Sequence, residues 1–275
     1  MSTRTETLAF EEQWHDWHAA HQESVGDPHG FLAVTDLHWL EEQPRAYAHA
    51  PGTWSVSEDQ VAVVLTPQER LSLHGIELNL GTGTRHVFAP IAERDGLFLD
   101  HGATVIELAK RGGRYLLRPR SPRAPLVTAY RGTPAYPPTR DFVLPGRYIP
   151  FQEPHPTTVG AAVEGLRHVY DAPGQLRFTV AGREHVLTAF NGPAPRTLVV
   201  LFTDETSGRT TYAANRSLTV TVAEDGSAVL DFNRAVNLPC AYTDLATCPL
   251  PPAGNHLPFA VEAGEKTPHE RSEHR

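Results

Sequence analysis

The densest group of side chains able to do chemistry lies between Asp231 and Pro252, in the stretch DFNRAVNLPCAYTDLATCPLPP. It leaves an alternating apolar run and continues through Pro239, Pro249, Pro251 and Pro252. It therefore reads as a long irregular loop at a strand exit, a common place for a site. Along it stand Asp231, Asn233, Asn237 and both cysteines of the chain, Cys240 and Cys248. Asp231 and Asn233 are two apart on an extended segment, which puts both side chains on one face and Phe232 on the other. Tyr212 and Arg216 are the nearest aromatic hydroxyl and cation upstream, and Asn255, Glu262, Glu265 and Lys266 follow downstream. Such a set could orient and polarise a small polar molecule. An arginine beside Asp231 would keep that carboxylate ionised, suited to holding a hydroxyl or an amine rather than donating a proton. The same residues have a purely structural reading, in which Asn and Asp cap a tortuous loop, Tyr212 fills the core and the Arg–Asp pair has no ligand.

The two cysteines have seven residues between them, outside the two-to-four spacing of a zinc knuckle. A nucleophilic thiol, a metal ligand, a disulfide and a pair of buried structural thiols are all open to them. The expectation is reduced, buried, neighbouring thiols without metal. Of the 15 histidines, His15, His18 and His21 recur every three residues on the first helix and are expected to be exposed rather than ligating. His155 and His168 stand alone, each either structural or an acid–base group. Gly81-Thr82-Gly83-Thr84 lacks the Gly-Lys-Ser/Thr ending of a phosphate loop. Neither a Gly-x-Ser-x-Gly elbow nor a His-Glu-x-x-His motif occurs, so no cofactor or metal is expected.

Four segments carry a family resemblance: FTDETSGRTTY (Phe202 to Tyr212), DFNRAVNLPCA (Asp231 to Ala241), TCPLPP (Thr247 to Pro252) and NHLPFAVEAGEK (Asn255 to Lys266). In these the chain resembles an uncharacterised bacterial family, domain of unknown function 1684. The likeness extends over most of the chain and is most specific between Phe202 and Lys266. Typical members read AYNPPC where this chain has Ala235-Val236-Asn237-Leu238-Pro239-Cys240. The resemblance implies that the polar residues of these segments form one constellation, and it brings no reaction with it.

The elements that must position these residues are mostly strands. Gly and Pro number 21 and 24 without a triplet period, which predicts many turns and few long helices. One helix is expected at the start, where Phe10, Trp14, Trp17 and His21 share a face; Asp27-Pro28-His29-Gly30 stops it. Short alternating runs follow: Gln60 to Leu65, Arg85 to Ile91, Leu97 to Asp100 and Thr104 to Ala109. Asp95-Gly96 and Arg111-Gly112-Gly113 provide hairpin turns. Seven prolines in the 27 residues from Pro119 to Pro145 predict a packed but irregular connection. Beyond it, Leu176 to Phe190 reads as a hairpin about Ala181-Gly182, Leu198 to Thr203 as a buried strand, and Leu218 to Phe232 as a hairpin about Asp225-Gly226. The expected fold is mainly β: an N-terminal helix (1–26) packing on the body, an antiparallel β-rich half (27–120), a proline-rich connection (121–146), a second β-rich half carrying the motifs (147–265) and a charged tail (266–275).

Composition excludes several function classes. The chain has 275 residues, enough for a sizeable core, and a net charge of −8, which argues against a nucleic-acid partner. It has no apolar run long enough to span a membrane and no apolar leader, and its two cysteines suit a reducing compartment, so a cytoplasmic location is expected. The function expected from these features is a small-polar-molecule site in the C-terminal half, enzymatic or not. Its rival is a binding or interaction module in which the Asn/Cys/Pro loop is structural.

Overall fold

The structure, a computed structural model, describes residues 2–78 and 83–269. Gly81 and Thr82, and the tail from residue 270 onward, lie outside the described residues. The fold is mainly antiparallel β with one long N-terminal helix, as the periodicities predict. The chain forms two compact units: one comprises Met1–Glu23 and Gly132–Arg275, the other Ser24–Arg131.

The Ser24–Arg131 unit holds ten strands among the described residues: β1 His38–Trp39, β2 Arg45–Tyr47, β3 Ala50–Ser57, β4 Gln60–Leu65, β5 Ser72–Leu73, β6 Ile76–Glu77, β7 Thr84–Val87, β8 Gly96–His101, β9 Thr104–Arg111 and β10 Arg114–Arg120. They form two sheets, ordered β1-β10-β9-β8-β5-β6 and β2-β3-β4-β7. Alternate residues of both sheets meet in one core, with Trp54, Val63 and Leu65 from the smaller sheet against Leu99, Ile106 and Leu117 from the larger. Trp54 is fully buried because its indole N–H reaches the Pro51 carbonyl at 2.8 Å, leaving no polar atom unpaired. The β9–β10 hairpin turns at Gly112 and Gly113, both at positive φ, as the Gly-Gly pair predicts. A short helix, α2 (Pro125–Ala129), opens with Pro at its first position and lies inside the proline-rich connection.

The other unit is a curled sheet with the N-terminal helix α1 (Ser2–Val25). Its strands are β11 Val143–Gly160, β12 Arg167–Val180, β13 Arg183–Asn191, β14 Thr197–Asp204, β15 Arg216–Thr221, β16 Ser227–Asp231, β17 Val236–Asn237 and β18 His256–Leu257. The order is β16-β11-β12-β13-β14-β15-β17, with β18 added parallel to β14. Leu176 and Phe178, Leu187, Val200 and Phe202, Leu218 and Val220, and Leu230 all enter a single core. A sheet whose strands all aim alternate residues at one cluster must wrap around it. A bridge between Val222 and Ala228 joins the two ends of the wrap.

β11 is the element least visible in the sequence, because Pro145, Pro150, Pro154 and Pro156 fall within it. It is paired on both sides only near its start, and its register on β12 breaks between Pro150 and His155, where the missing N–H groups would otherwise leave gaps in the ladder. Gly174 on β12 lets β11 come close there. A Cβ at that position would meet the Ile149 carbonyl oxygen, Tyr148 Cε2 at 2.6 Å and Pro150 Cα at 2.9 Å. Gly174→Ala should therefore lower the melting temperature by about 5 °C, the scale of an overpacked core site. Thermal denaturation checks this, and an unchanged melt would contradict the close approach.

Candidate functional site

Arg216 opens β15 between Phe202 on β14 and Asn237 on β17. Its side chain is 1% exposed. Nη2 donates to Asp204 Oδ2 at 2.9 Å and to the Val261 carbonyl at 3.0 Å, while Nη1 donates to the carbonyls of Ala263 and Glu265. Burial pulls the guanidinium pKa below its ordinary value, and the Asp204 carboxylate opposes that shift. Asp204 is buried as well, and its Oδ1 accepts from Thr206 N–H, Thr206 Oγ1 and Val261 N–H. The partner of Arg216 is thus Asp204 rather than Asp231. The end of β14 and the start of β15 bring the first two together, and the carbonyls of 261–265 complete the shell.

Asp231 serves a local purpose. Its Oδ1 accepts from Asn233 N and Nδ2, and its Oδ2 lies 3.3 Å from Arg234 Nε, the residue three further on. Asn233 is buried; it accepts from Thr139 N–H and donates to the Thr139 carbonyl, clipping the approach to β11 onto the exit of β16. Asn255 makes the same kind of clip: it accepts from Thr188 N–H and donates to the carbonyls of Thr188 and Leu201. Cys240 and Cys248 are buried thiols not joined in a disulfide, with Cys240 N–H donating to Cys248 Sγ at 3.2 Å, and Tyr212 packs on the same cluster. His168 is buried, its Nε2 donating to the Thr247 carbonyl, and His155 stacks on Phe151. Among the described residues no three His, Cys, Asp or Glu are grouped to hold a metal ion.

Asn237 and Glu265 tie the motif region to α1. Glu265 is 1% exposed; Oε2 accepts from Asn237 N–H at 2.7 Å, and Oε1 lies 3.1 Å from Gln22 Nε2 and 3.2 Å from His21 Nε2. Asn237 Nδ2 donates to the Lys266 carbonyl, and its Oδ1 is a buried acceptor without a partner. Gln22 Oε1 accepts from Thr133 N–H, which assigns Nε2 as its donor end. His18 Nε2, 3.1 Å from that donor, is therefore an unprotonated acceptor. Trp14 donates its indole N–H to the Asn233 carbonyl. His18 and His21 stack on Trp14 and Trp17 and are half-buried, in contrast to the exposure expected of them; His15 is exposed. The three-residue spacing drifts round the helix, so two of the three turn toward the Trp stripe.

A separate concavity lies at one end of the curled sheet. It is an open concavity of about 750 Å³ between the β13–β14 connection, the β15–β16 turn and the start of β11. Tyr148, Pro150, Leu198 and Val222 supply apolar lining, with Arg147 and Arg196 on the walls. The two turns are joined by Val222 N–H donating to the Arg196 carbonyl, and Tyr148 N–H donates to the Gly226 carbonyl. Arg196 pairs with Glu224 at 2.9 Å, and Arg147 Nη2 donates to the Asp225 carbonyl at 3.0 Å. Hydrogen bonds from the Ser227 hydroxyl and N–H hold the Asp225 carboxyl below its usual range, with Arg147 adding to the shift. Tyr148 donates its hydroxyl to the Pro173 carbonyl, and burial pushes its pKa up.

Of the residues singled out in sequence, Arg216 and Asn237 are brought together on the 261–266 segment, Asp231 and Asn233 on the Thr139 clip, and Tyr212 on the two thiols. Asn255 is apart, just before β18, with its side chain bonded to β13 and β14. None of them lines the pocket. Gln22 and the pocket arginines were not legible in sequence, since their partners are remote, and Asp204 was not, since Asp231 stands about as near to Arg216. The nearest signal was the Asn191-Gly192-Pro193 turn chemistry.

An antiparallel β unit closed around one core, braced by a buried Arg–Asp pair, is the class this fold defines. The chain belongs to the family described as "Protein of unknown function (DUF1684)", which matches residues 128–266. It is also similar to an uncharacterized protein of Haloarcula marismortui with a solution NMR structure: 30% identity, 52% of this chain and 80% of that chain covered, TM-score 0.43. No curated protein matches the chain. Among the described residues no helix is long and apolar enough to cross a membrane.

Two predictions follow from the braces. Asp204→Asn strands the buried Arg216 charge, a loss of about 3–5 kcal/mol, so the melting temperature should fall by on the order of 10 °C. A melt within two or three degrees of wild type would show the pair to be dispensable. The second concerns pH. Burial lowers the His18 pKa from 6.5, His21 and His15 act in the same direction, and Glu265 opposes them. Below pH 6.5 the unfolded chain then takes up a proton that the native state resists, so stability is fully present above that pH and declines beneath it. Melting temperatures between pH 7.5 and 5.5 should fall more steeply for wild type than for His18→Gln; parallel curves would remove His18 from the account.

Proposed function

We propose that the unit of Met1–Glu23 and Gly132–Arg275 is a small-molecule-binding module whose site is the pocket between the β13–β14 and β15–β16 turns. The observation that carries this reading is the pocket itself: about 750 Å³, within the range of ligand sites, with a largely apolar lining and a few polar groups at its walls. The motif residues support the same reading by exclusion. Arg216, Asn233 and Asn255 spend their side-chain hydrogen bonds on backbone and on neighbouring carboxylates, which favours the structural role of the Asn/Cys/Pro loop. Binding rather than chemistry is favoured because the Tyr148 and Thr197 hydroxyls are already donating to carbonyls of the protein.

The test is a thermal-shift screen of small organic molecules on wild type, Ala194→Trp and Asn233→Ala. Ala194 lines the pocket, and a Trp there should fill its mouth. Ligand shifts should disappear in Ala194→Trp and persist in Asn233→Ala, which should itself melt several degrees lower through loss of its clip. Shifts that survive Ala194→Trp but vanish in Asn233→Ala, without destabilisation, would move the site to the loop and end this proposal.

A further inference from the structure

The polar atoms of the pocket wall are unequally committed, and that asymmetry specifies a ligand. Thr197 Oγ1 donates to the Ala194 carbonyl and accepts from Ala194 N–H, so it is internally satisfied. The Tyr148 hydroxyl is taken by Pro173, so what Tyr148 offers the cavity is its ring. Arg196 is matched to the carboxylate of Glu224, and Asp225 has Oδ1 occupied by two donors from Ser227. Arg147 differs from these: among the described residues its guanidinium gives one hydrogen bond, to the Asp225 backbone carbonyl, and it meets the Asp225 carboxylate through charge alone, which leaves most of the five N–H donors of its planar fork for a ligand. Beside it stand Tyr148, Pro150, Leu198 and Val222, an apolar surface with nothing polar to satisfy.

Resting on the pocket reading above, we infer that the ligand is an amphipathic monocarboxylate. Its carboxylate sits on the Arg147 fork and its hydrocarbon or aryl body on the Tyr148, Pro150, Leu198 and Val222 surface. A carboxylate matches the fork in charge and in shape, since its two oxygens can take parallel N–H bonds, and charge-assisted bonds of this kind are about twice as strong as neutral ones. A neutral molecule of equal size would use the apolar surface and leave the fork to water. A phosphate without an apolar body would use the fork and leave the surface exposed.

Isothermal titration of the full chain with octanoate and with 1-octanol separates these cases, because the two probes share a body and differ in the head group. Octanoate should bind wild type roughly tenfold or more tightly than octanol, the scale of a charge-assisted pair. Arg147→Met, which keeps an apolar stem and removes the fork, should abolish that preference while leaving octanol binding unchanged. Arg147→Lys should retain part of it. Equal affinities in wild type, or a preference that survives in Arg147→Met, would overturn the carboxylate assignment while the pocket reading stands. Failure of both probes to bind at millimolar concentration would overturn both. Ala194→Trp should block both probes if they occupy this pocket; binding unaffected by that change would place them elsewhere and reject the assignment.

Discussion

The buried pair between Arg216 and Asp204 is the constraint on which the motif-bearing part of the fold depends. A guanidinium withdrawn from water is tolerable only when its charge is matched and its donors are met. Here the carboxylate comes from the end of β14, the cation from the start of β15, and the remaining acceptors are the carbonyls of Val261, Ala263 and Glu265. The segment 261–265 is thereby drawn across the sheet without a strand ladder of its own. Gly264, at φ +73°, allows the turn; a Cβ there would meet the carbonyl oxygens of Ala235 and Phe232 at 2.5 and 2.8 Å.

The rest of the unit follows from where that segment is pinned. With Glu265 fixed, its carboxylate accepts from Asn237 on one oxygen and from Gln22 on the other, with His21 Nε2 3.2 Å from the latter, so β17 and α1 converge on one group. The Asn233 and Asn255 clips then extend, by side-chain bonds, the β11–β16 and β14–β18 pairings beside them. These are the same polar residues that, read in sequence, resemble the makings of a catalytic pocket. A buried amide that satisfies a loop and one that grips a substrate have identical composition; only the partner atom tells them apart.

Much of the fold was legible because it follows period two. Gln60 to Leu65 is β4 residue for residue, and Ala181-Gly182 and Asp225-Gly226 sit at the tips of their hairpins, with Ala181, Gly182 and Gly226 at positive φ. β11 was not legible, because its prolines argue locally against a ladder that pairing on one side at a time can still sustain. Nor was the identity of the Arg216 partner: Asp204 and Asp231 are nearly equidistant from it in sequence, and only the wrap of the sheet selects one. The pocket was hidden for the same reason, since its walls come from connections more than twenty residues apart.

The helix α1 and the brace at Glu265 belong to one unit, yet all of Ser24–Arg131 is threaded between them. On a ribosome the intervening β unit has all of its own contacts available well before Glu265 is made. The helix that precedes it does not. Trp14 and Trp17 must therefore wait without their partners while the whole intervening unit is made, exposed to whatever else has an affinity for an aromatic stripe. The last family segment to be translated is the one that finally takes that surface out of circulation.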